Sequence, residues 1–273
     1  MRSGDRPALA DARGAFLPVL AGLVALAWLT LLLWAQSPYG RYLDHGQWTE
    51  IGIAGELCRA LPAGTIILPA VLYVGGWMLM TAAMMLPTTL PLLARFDRLT
   101  ELKPHRRLLS ALLISGYLAV WGAFGLAAHL LDAGLHVLVA GTSWLMLNGW
   151  IVGASVLATA GAFQFSALKY RCLDQCRTPF SALNAHWRGR APAREALWLG
   201  VHHGIFCVGC CWAIMLLMFV VGTGNVGWML LLGAVMAAEK TMPWGSRLRA
   251  PLGIALLAWS GTVVAGHAWG WLG

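Results

Sequence analysis

The chain has 273 residues, of which 59% are hydrophobic and only 11% are charged, and its formal net charge is +8. A soluble domain usually has about 25% charged residues, so much of this surface must face something other than water. The composition excludes an ordinary soluble enzyme, and the basic residues, which are divided among short segments between apolar runs, do not indicate a nucleic-acid partner.

Seven apolar segments predict membrane-spanning helices, since a helix needs about 20 residues to cross a bilayer. They cover residues 15–35, 66–90, 108–131, 144–168, 197–221, 228–242 and 252–271, and the sixth is short. The first follows a basic start but exceeds the roughly 7–15 apolar residues of a signal peptide, so we expect a retained anchor. We therefore predict an all-α fold, a polytopic membrane bundle of about seven transmembrane helices.

Basic residues concentrate in alternate connections between the predicted spans. Of the 19 Lys and Arg residues, all but Arg41 and Arg59 precede span one, lie between spans two and three, four and five, or six and seven, or, for Lys240, lie at the inner end of span six. The positive-inside rule then predicts a cytoplasmic N-terminus and an outer C-terminus. The same basic connections would contact anionic membrane lipid.

The organisation predicts a single integral membrane domain over residues 1–273. Residues 1–64 comprise the first span and an outer loop, which carries Cys58 and resembles an amphipathic helix lying on the membrane surface. Residues 65–273 would form the helical core. Within it, Gly-Trp-Met-Leu occurs at residues 76–79 and again at 227–230, which suggests a weak internal repeat.

Span two is rich in methionine and contains two prolines. Met80 and Met84 are one helical turn apart, a spacing that suits a thioether ladder for Cu(I), although methionine also fills helix interfaces by packing alone. Pro87 and Pro91 predict a kink that frees backbone carbonyls, which need partners inside the bundle. The methionines of this span are Met78, Met80, Met84 and Met85.

Imidazole and carboxylate groups collect on the predicted outer side. His129, Asp132 and His136 share a helical face at the outer end of span three if that helix continues. His267 lies near the outer end of span seven, and His45 lies in the first outer loop. These ligand types suit Cu(II) or Zn(II) better than Cu(I), whereas single interfacial histidines usually just form hydrogen bonds.

Span five and the connection before it concentrate thiols on the predicted cytoplasmic half of the bundle. Thiolates and thioethers are soft donors that suit Cu(I), and thiolates also suit Zn(II) or Hg(II). Free cysteine is also a common packing residue, but three cysteines of span five and a histidine pair on one helical face favour a metal site. The candidate ligands are Cys172, Cys176, His202, His203, Cys207, Cys210, Cys211, Met215 and Met218, with His186 in the same connection.

Glu239 and Lys240 form an ionisable pair near the inner end of span six. Ionisable residues within a membrane are costly and mark functional sites by default. Such a pair can equally anchor a helix at the membrane interface. Both interpretations stay open at the level of sequence.

Several blocks resemble the signatures of the bacterial predicted metal-binding integral membrane proteins. They are Met-Met-Leu-Pro at 84–87, Phe-Gln-Phe at 163–165 leading to Cys172-x3-Cys176, Gly-Ile-Phe-Cys-Val-Gly-Cys-Cys-Trp at 204–212, and Ala-Glu-Lys-Thr-Met-Pro-Trp-Gly at 238–245. The resemblance implies a multi-pass protein of the bacterial cytoplasmic membrane. It further implies a copper chaperone, not an enzyme, that supplies an extracytoplasmic cuproenzyme client of the tyrosinase-type polyphenol oxidase class.

Three functions fit these residues. The first is copper handling, with Cu(I) passing from the inner thiols along the methionines to the outer histidines, or in the reverse direction. The second is a membrane thiol oxidoreductase, although such enzymes that drive secretory folding need thiols on the outer side. The third is transport of zinc or another soft metal such as Hg(II), for which the adjacent Cys210 and Cys211 are suitable.

Overall fold

A computed structural model describes residues 21–33, 36, 67–178, 183, 187–222 and 225–270. Every regular element in these ranges is a helix, which confirms the all-α class. The α-helices are α1 Ala21–Leu33, α2 Ile67–Met85, α3 Leu90–Leu99, α4 Arg106–Ala140, α5 Ser143–Leu147, α6 Trp150–Phe163, α7 Ala167–Arg177, α8 Pro192–Val221, α9 Val226–Thr241 and α10 Arg249–Gly270. Short 3-10 helices at Leu86–Thr89 and Gly245–Leu248 precede α3 and α10.

Four helical stretches are long and apolar enough to cross a membrane, which agrees with a membrane protein. They are Val74–Leu99, Arg106–Ala140, Pro192–Val221 and Gly245–Ala268. A fifth span results if α6 and α7 count as one broken helix. Helix α9 has only 16 residues, and the ends of predicted span one lie outside the described ranges, as does the loop with His45 and Cys58. The count of seven and the orientation of the termini therefore stay predictions.

The predicted fourth span, 144–168, is not one straight helix. Helix α6 ends at Phe163 and α7 begins at Ala167, and the two are bent by 64°. The break has a local cause, because Ser166 has an extended backbone and its hydroxyl accepts a hydrogen bond from the Lys169 N–H at 3.1 Å, as an N-cap does. Lys169, which we expected in an exposed basic connection, is instead fully buried.

Helices α4 and α8 form the central pair of the bundle, and glycines allow them to approach closely. Gly200 and Gly204 on α8 have the four-residue spacing typical of tight helix pairs. A β-carbon on Gly200 would overlap the carbonyl group of Leu113 on α4, and one on Gly204 would lie 3.2 Å from the carbonyl oxygen of Tyr117. This contact fixes the face of α8 that carries the thiols.

The predicted interruption of span two is present at Pro87. Helix α2 ends at Met85, and a 3-10 turn over Leu86–Thr89 follows. The hydroxyl of Thr88 donates to the carbonyl of Met85 at 2.7 Å, which supplies a partner for a backbone group that the break leaves free. The interruption therefore places Met85 at the end of a helix, next to the thiols of α8.

Candidate metal centre

Helices α7 and α8 bring two groups of cysteines together inside the protein. A β-carbon on Gly209 would lie 2.7 Å from the sulfur of Cys172, so glycine at this position leaves room for that sulfur against α8. One turn further along α7, the sulfur of Cys176 lies 3.8 Å from that of Cys210. Cys176 is half-buried, whereas Cys210 is only 1% exposed. The predicted inner thiols of α7 and α8 are therefore neighbours.

A thioether completes this group of sulfurs. The sulfur of Cys211 lies 3.8 Å from that of Met85, at the end of α2. The Cys207 thiol interacts with the thiols of Cys176, Cys210 and Cys211. We call Met85, Cys176, Cys207, Cys210 and Cys211 the sulfur cluster, and all of its members except Cys176 are buried.

The sulfur separations are suited to a shared ion. Two sulfurs that bind one metal at about 2.3 Å, with an angle near that of a tetrahedron or triangle, lie about 3.8–4.0 Å apart. Both the Cys176–Cys210 pair and the Cys211–Met85 pair have this separation, at 3.8 Å. Each pair therefore could hold a soft cation without a large movement of either helix.

The cysteines do not, however, form a closed ligand set. Within the described ranges, no three His, Cys, Asp or Glu side chains are arranged to hold one metal ion. The thiols of Cys210 and Cys211 both donate to the carbonyl of Cys207, at 3.1 and 2.8 Å. Thiol rotation away from this carbonyl would be needed before a third sulfur joined either pair.

The ammonium group of Lys240 lies in the sulfur cluster. Its nitrogen is 2.9 Å from the sulfur of Cys207, 3.6 Å from that of Met85 and 3.8 Å from that of Cys211. The hydroxyl of Tyr117 approaches Cys207 to 3.1 Å. A cation thus already lies among three buried sulfur atoms.

Glu239 and Lys240 do not pair with each other. Adjacent residues of a helix point about 100° apart, and Glu239 turns instead to the Lys169 ammonium, which donates to its two carboxylate oxygens at 3.0 and 2.8 Å. The same ammonium contacts the Gln164 side chain, and Arg177 donates to the Glu239 carbonyl. This network fastens α7 to α9 and so holds Cys172 and Cys176 against α8.

A family model described as PpoB2, a copper chaperone, matches residues 74–263 of the chain. The chain belongs to the PpoB2 copper chaperone family. No curated protein and no solved structure matches it. The matched range includes every member of the sulfur cluster, Lys240 and the buried ion pair. The family therefore suggests copper as the metal.

The two histidines of α8 contact different aromatic rings. His203 is 5% exposed, and its ring lies 5.8 Å from that of Tyr117, one helical turn before Cys207. The ring of His202 lies 4.8 Å from that of Phe206. His203 therefore borders the sulfur cluster, and both residues stay predictions as metal ligands.

Four methionines on the predicted copper route are all buried, and two of them, Met80 and Met84, form the predicted ladder. Met215 and Met218 on α8 have no exposed surface, and Met80 and Met84 on α2 are each 3% exposed. A β-carbon on Gly233 of α9 would lie in ordinary contact with Met84, 3.5 Å from its Cγ. A route for copper along these thioethers stays a prediction.

His136 and His267, two of the predicted outer ligands, each contact a neighbouring side chain and a backbone carbonyl. The Nδ1 atom of His136 lies 3.6 Å from a carboxylate oxygen of Asp132 and 2.9 Å from its carbonyl oxygen. His267 stacks on Trp150 with ring centroids 4.5 Å apart and contacts the carbonyl of Val263. In the part of the chain that the structure describes, these residues and His129 do not form a metal-binding group of three. The outer metal site stays a prediction.

Three residues of the site were absent from the ligand set inferred from sequence: Met85, Tyr117 and Lys240. Met85 lies directly after Met84 in the Met-Met-Leu-Pro block, and Lys240 is a charge in an otherwise apolar helix. The sequence shows both features, but it does not show whether Met84 or Met85, or Glu239 or Lys240, faces the thiols. Tyr117 carries no sequence signal that separates it from an ordinary aromatic core residue.

Proposed function

We propose that the protein is a membrane copper chaperone that binds Cu(I) at the sulfur cluster and delivers it to a cuproenzyme outside the cytoplasm. Membership of a copper chaperone family supports the cargo. Thiolate and thioether sulfurs are the ligands that select Cu(I). The observation that carries the proposal is the pair of 3.8 Å separations, Cys176 to Cys210 and Cys211 to Met85, which suit an ion shared by two sulfurs.

The two sulfur pairs differ in exposure, which supports loading of copper from the side of Cys176. Cys176 is half-buried at the side of α7, whereas Met85 and Cys211 have almost no exposed surface. Copper would first bind at Cys176 and Cys210, with Cys172 beside them, and then move to Cys211 and Met85. Cys207, which interacts with thiols of both pairs, is the ligand shared during this exchange.

Release toward the client would follow the remaining soft and imidazole donors. Met215 and Met218 continue along α8 beyond the sulfur cluster. The histidines His129, His136 and His267, together with Asp132, are the predicted acceptors at the other side of the membrane. A tyrosinase-type polyphenol oxidase is the expected client, because the blocks that resemble the family imply it.

Copper content of the purified full chain tests the binding site. The wild-type protein in detergent, loaded with Cu(I) under reducing conditions, should bind copper, and a variant with serine in place of Cys207, Cys210 and Cys211 should lose most of it. Ala213→Ser is a matched control, because it introduces a hydroxyl at a buried position of the same helix and removes no sulfur. Equal copper in the triple variant and the wild type would refute the proposed site.

Co-expression tests the delivery step separately. A tyrosinase-type polyphenol oxidase exported from cells should contain more copper when the wild-type chaperone is present than when the triple serine variant is present. If the client takes up the same amount of copper with either version, delivery is refuted even where copper binding is established.

One observation favours a second function, thiol oxidation. The 3.8 Å between the sulfurs of Cys176 and Cys210 is short enough for a disulfide after a small rotation. Its formation would release two protons and two electrons, which a membrane quinone would accept. The five described cysteines are all free thiols. Alkylation of the protein as isolated distinguishes the functions: a stable Cys176–Cys210 disulfide in growing cells favours redox catalysis, and free thiols favour copper binding.

A further inference from the structure

Lys240 is a buried cation whose nearest neighbours are sulfur atoms. Its side chain is 7% exposed, and its nitrogen contacts the sulfurs of Cys207, Cys211 and Met85 and the hydroxyl of Thr88. No described carboxylate forms an ion pair with it, because the adjacent Glu239 is engaged with Lys169. Among the described residues, the groups around this ammonium that can become anionic are therefore the thiols and Tyr117.

An isolated charge in such an interior is costly, so the total charge of the site decides which ion it can hold. The buried ion pair of Lys169 and Glu239 is neutral and contributes no net charge. The balance is therefore set by Lys240 and by the ligands that gather around the incoming metal.

We propose that Lys240 makes the sulfur cluster selective for a monovalent cation, and this inference rests on the proposed function. Cu(I) bound by the thiolates of Cys207 and Cys211 and the neutral thioether of Met85 carries one negative charge, which the Lys240 ammonium cancels. The thiols lose their protons to water as the metal binds. A divalent ion with the same ligands and the same lysine leaves one positive charge buried without a partner.

The position of Thr88 allows the lysine to remain beside a bound metal. The Lys240 nitrogen lies 3.5 Å from the Thr88 hydroxyl, on the 3-10 turn that follows Met85. A small movement toward this hydroxyl would vacate the space among the three sulfurs and keep the ammonium next to the thiolates. Lys240 is in this sense a residue that determines specificity and is not itself a metal ligand.

Paired affinity measurements test the proposal. Cu(I) and Zn(II) affinities of the full chain in detergent would be measured by competition with chelators, for the wild type and for Lys240→Leu, Lys240→Gln and Lys240→Arg. Loss of the charge in the Leu and Gln variants, neither of which adds a sulfur, should weaken Cu(I) binding and strengthen Zn(II) binding, each by at least about tenfold. The Arg variant keeps the charge and should retain the wild-type preference. Lys103→Leu, at an exposed lysine, is the matched control and should change neither affinity.

The outcomes separate this inference from the function on which it rests. If a Cys207→Ser/Cys211→Ser variant binds Cu(I) as the wild type does, the proposed function fails. If that variant loses Cu(I) while both neutral Lys240 variants keep the wild-type ratio of Cu(I) to Zn(II) affinity, only the role of Lys240 is overturned. Misfolding of both neutral variants, seen as aggregation on size-exclusion chromatography, would make Lys240 a structural residue and would overturn the inference as well.

Discussion

The ammonium nitrogen of Lys169 lies 2.8 Å from a carboxylate oxygen of Glu239, and the two side chains are 0% and 2% exposed. The pair joins α7, which carries Cys172 and Cys176, to α9, which carries Lys240. The ion pair therefore connects the two helices whose side chains, Cys176 and Lys240, contact the thiols of α8. A buried ion pair contributes little net stability when it is intact, but the loss of one partner leaves an uncompensated buried charge.

Glu239→Gln should consequently destabilise the protein by about 3–5 kcal/mol, because the Lys169 ammonium loses its counter-charge in an apolar interior. Thermal unfolding in detergent, followed by circular dichroism, measures the change. The double variant Lys169→Met/Glu239→Leu removes both charges and should recover most of the lost stability. Identical melting temperatures for the wild type and Glu239→Gln would contradict a paired, buried carboxylate at this position.

Gly200→Ala should separate α4 from α8, because the added methyl group would overlap the carbonyl of Leu113. Overpacking of this kind typically costs about 1–3 kcal/mol, and the loss should appear as a lower melting temperature. Gly134→Ala on α4 is the matched control, since a β-carbon at that position would have nothing within 4 Å, and better helix propensity should leave it neutral or slightly more stable. Equal melting temperatures for the two variants would argue against the close α4–α8 contact.

Met85→Leu should lower Cu(I) affinity by about tenfold without unfolding the protein, because it keeps the side-chain volume and removes the thioether. Met84→Leu makes the same change at the neighbouring residue, which lies near Gly233 on α9, and should bind Cu(I) as the wild type does. Chelator competition measures both affinities. A larger loss of Cu(I) affinity in Met84→Leu than in Met85→Leu would show that Met84, and not Met85, belongs to the cluster.

Gly209→Ala should disturb the contact between α7 and α8, because the new methyl group would lie 2.7 Å from the sulfur of Cys172. We expect a loss of about 1–3 kcal/mol from this overpacking. The double variant Cys172→Ala/Gly209→Ala removes the sulfur and should be more stable than the single variant. If the two are equally stable, Cys172 does not face Gly209.

Local sequence patterns predicted the helices well and the site only in part. Long apolar runs identified α4 and α8, and proline predicted the interruption after Met85, because these features depend on neighbouring residues alone. The burial of Lys169 was missed, because it depends on Glu239, 70 residues away. The bend at Ser166 was missed as well, although its N-cap is local. A lysine next to an apolar run, as Lys169 is, resembles the basic residues that ordinarily flank a membrane span on its cytoplasmic side. Only the position of Glu239 shows that it is buried.

The thiols show the same limit. Helical spacing grouped Cys207, Cys210 and Cys211 on one face of α8, and it grouped Cys172 with Cys176 on α7. The spacing could not show that the sulfur of Met85 lies against Cys211. Nor could it show that Lys240, and not Glu239, points at the thiols. Adjacent helical residues point about 100° apart, but the spacing within one helix does not show which of the two faces a neighbouring helix.

X-ray absorption at the copper edge of the Cu(I)-loaded full chain tests the central claim most directly. Binding at the sulfur cluster predicts a first shell made of sulfur atoms at about 2.3 Å, the length typical of metal–thiolate bonds. The triple serine variant at Cys207, Cys210 and Cys211 should lose that shell. A first shell made only of nitrogen or oxygen atoms in the wild-type protein would contradict the account.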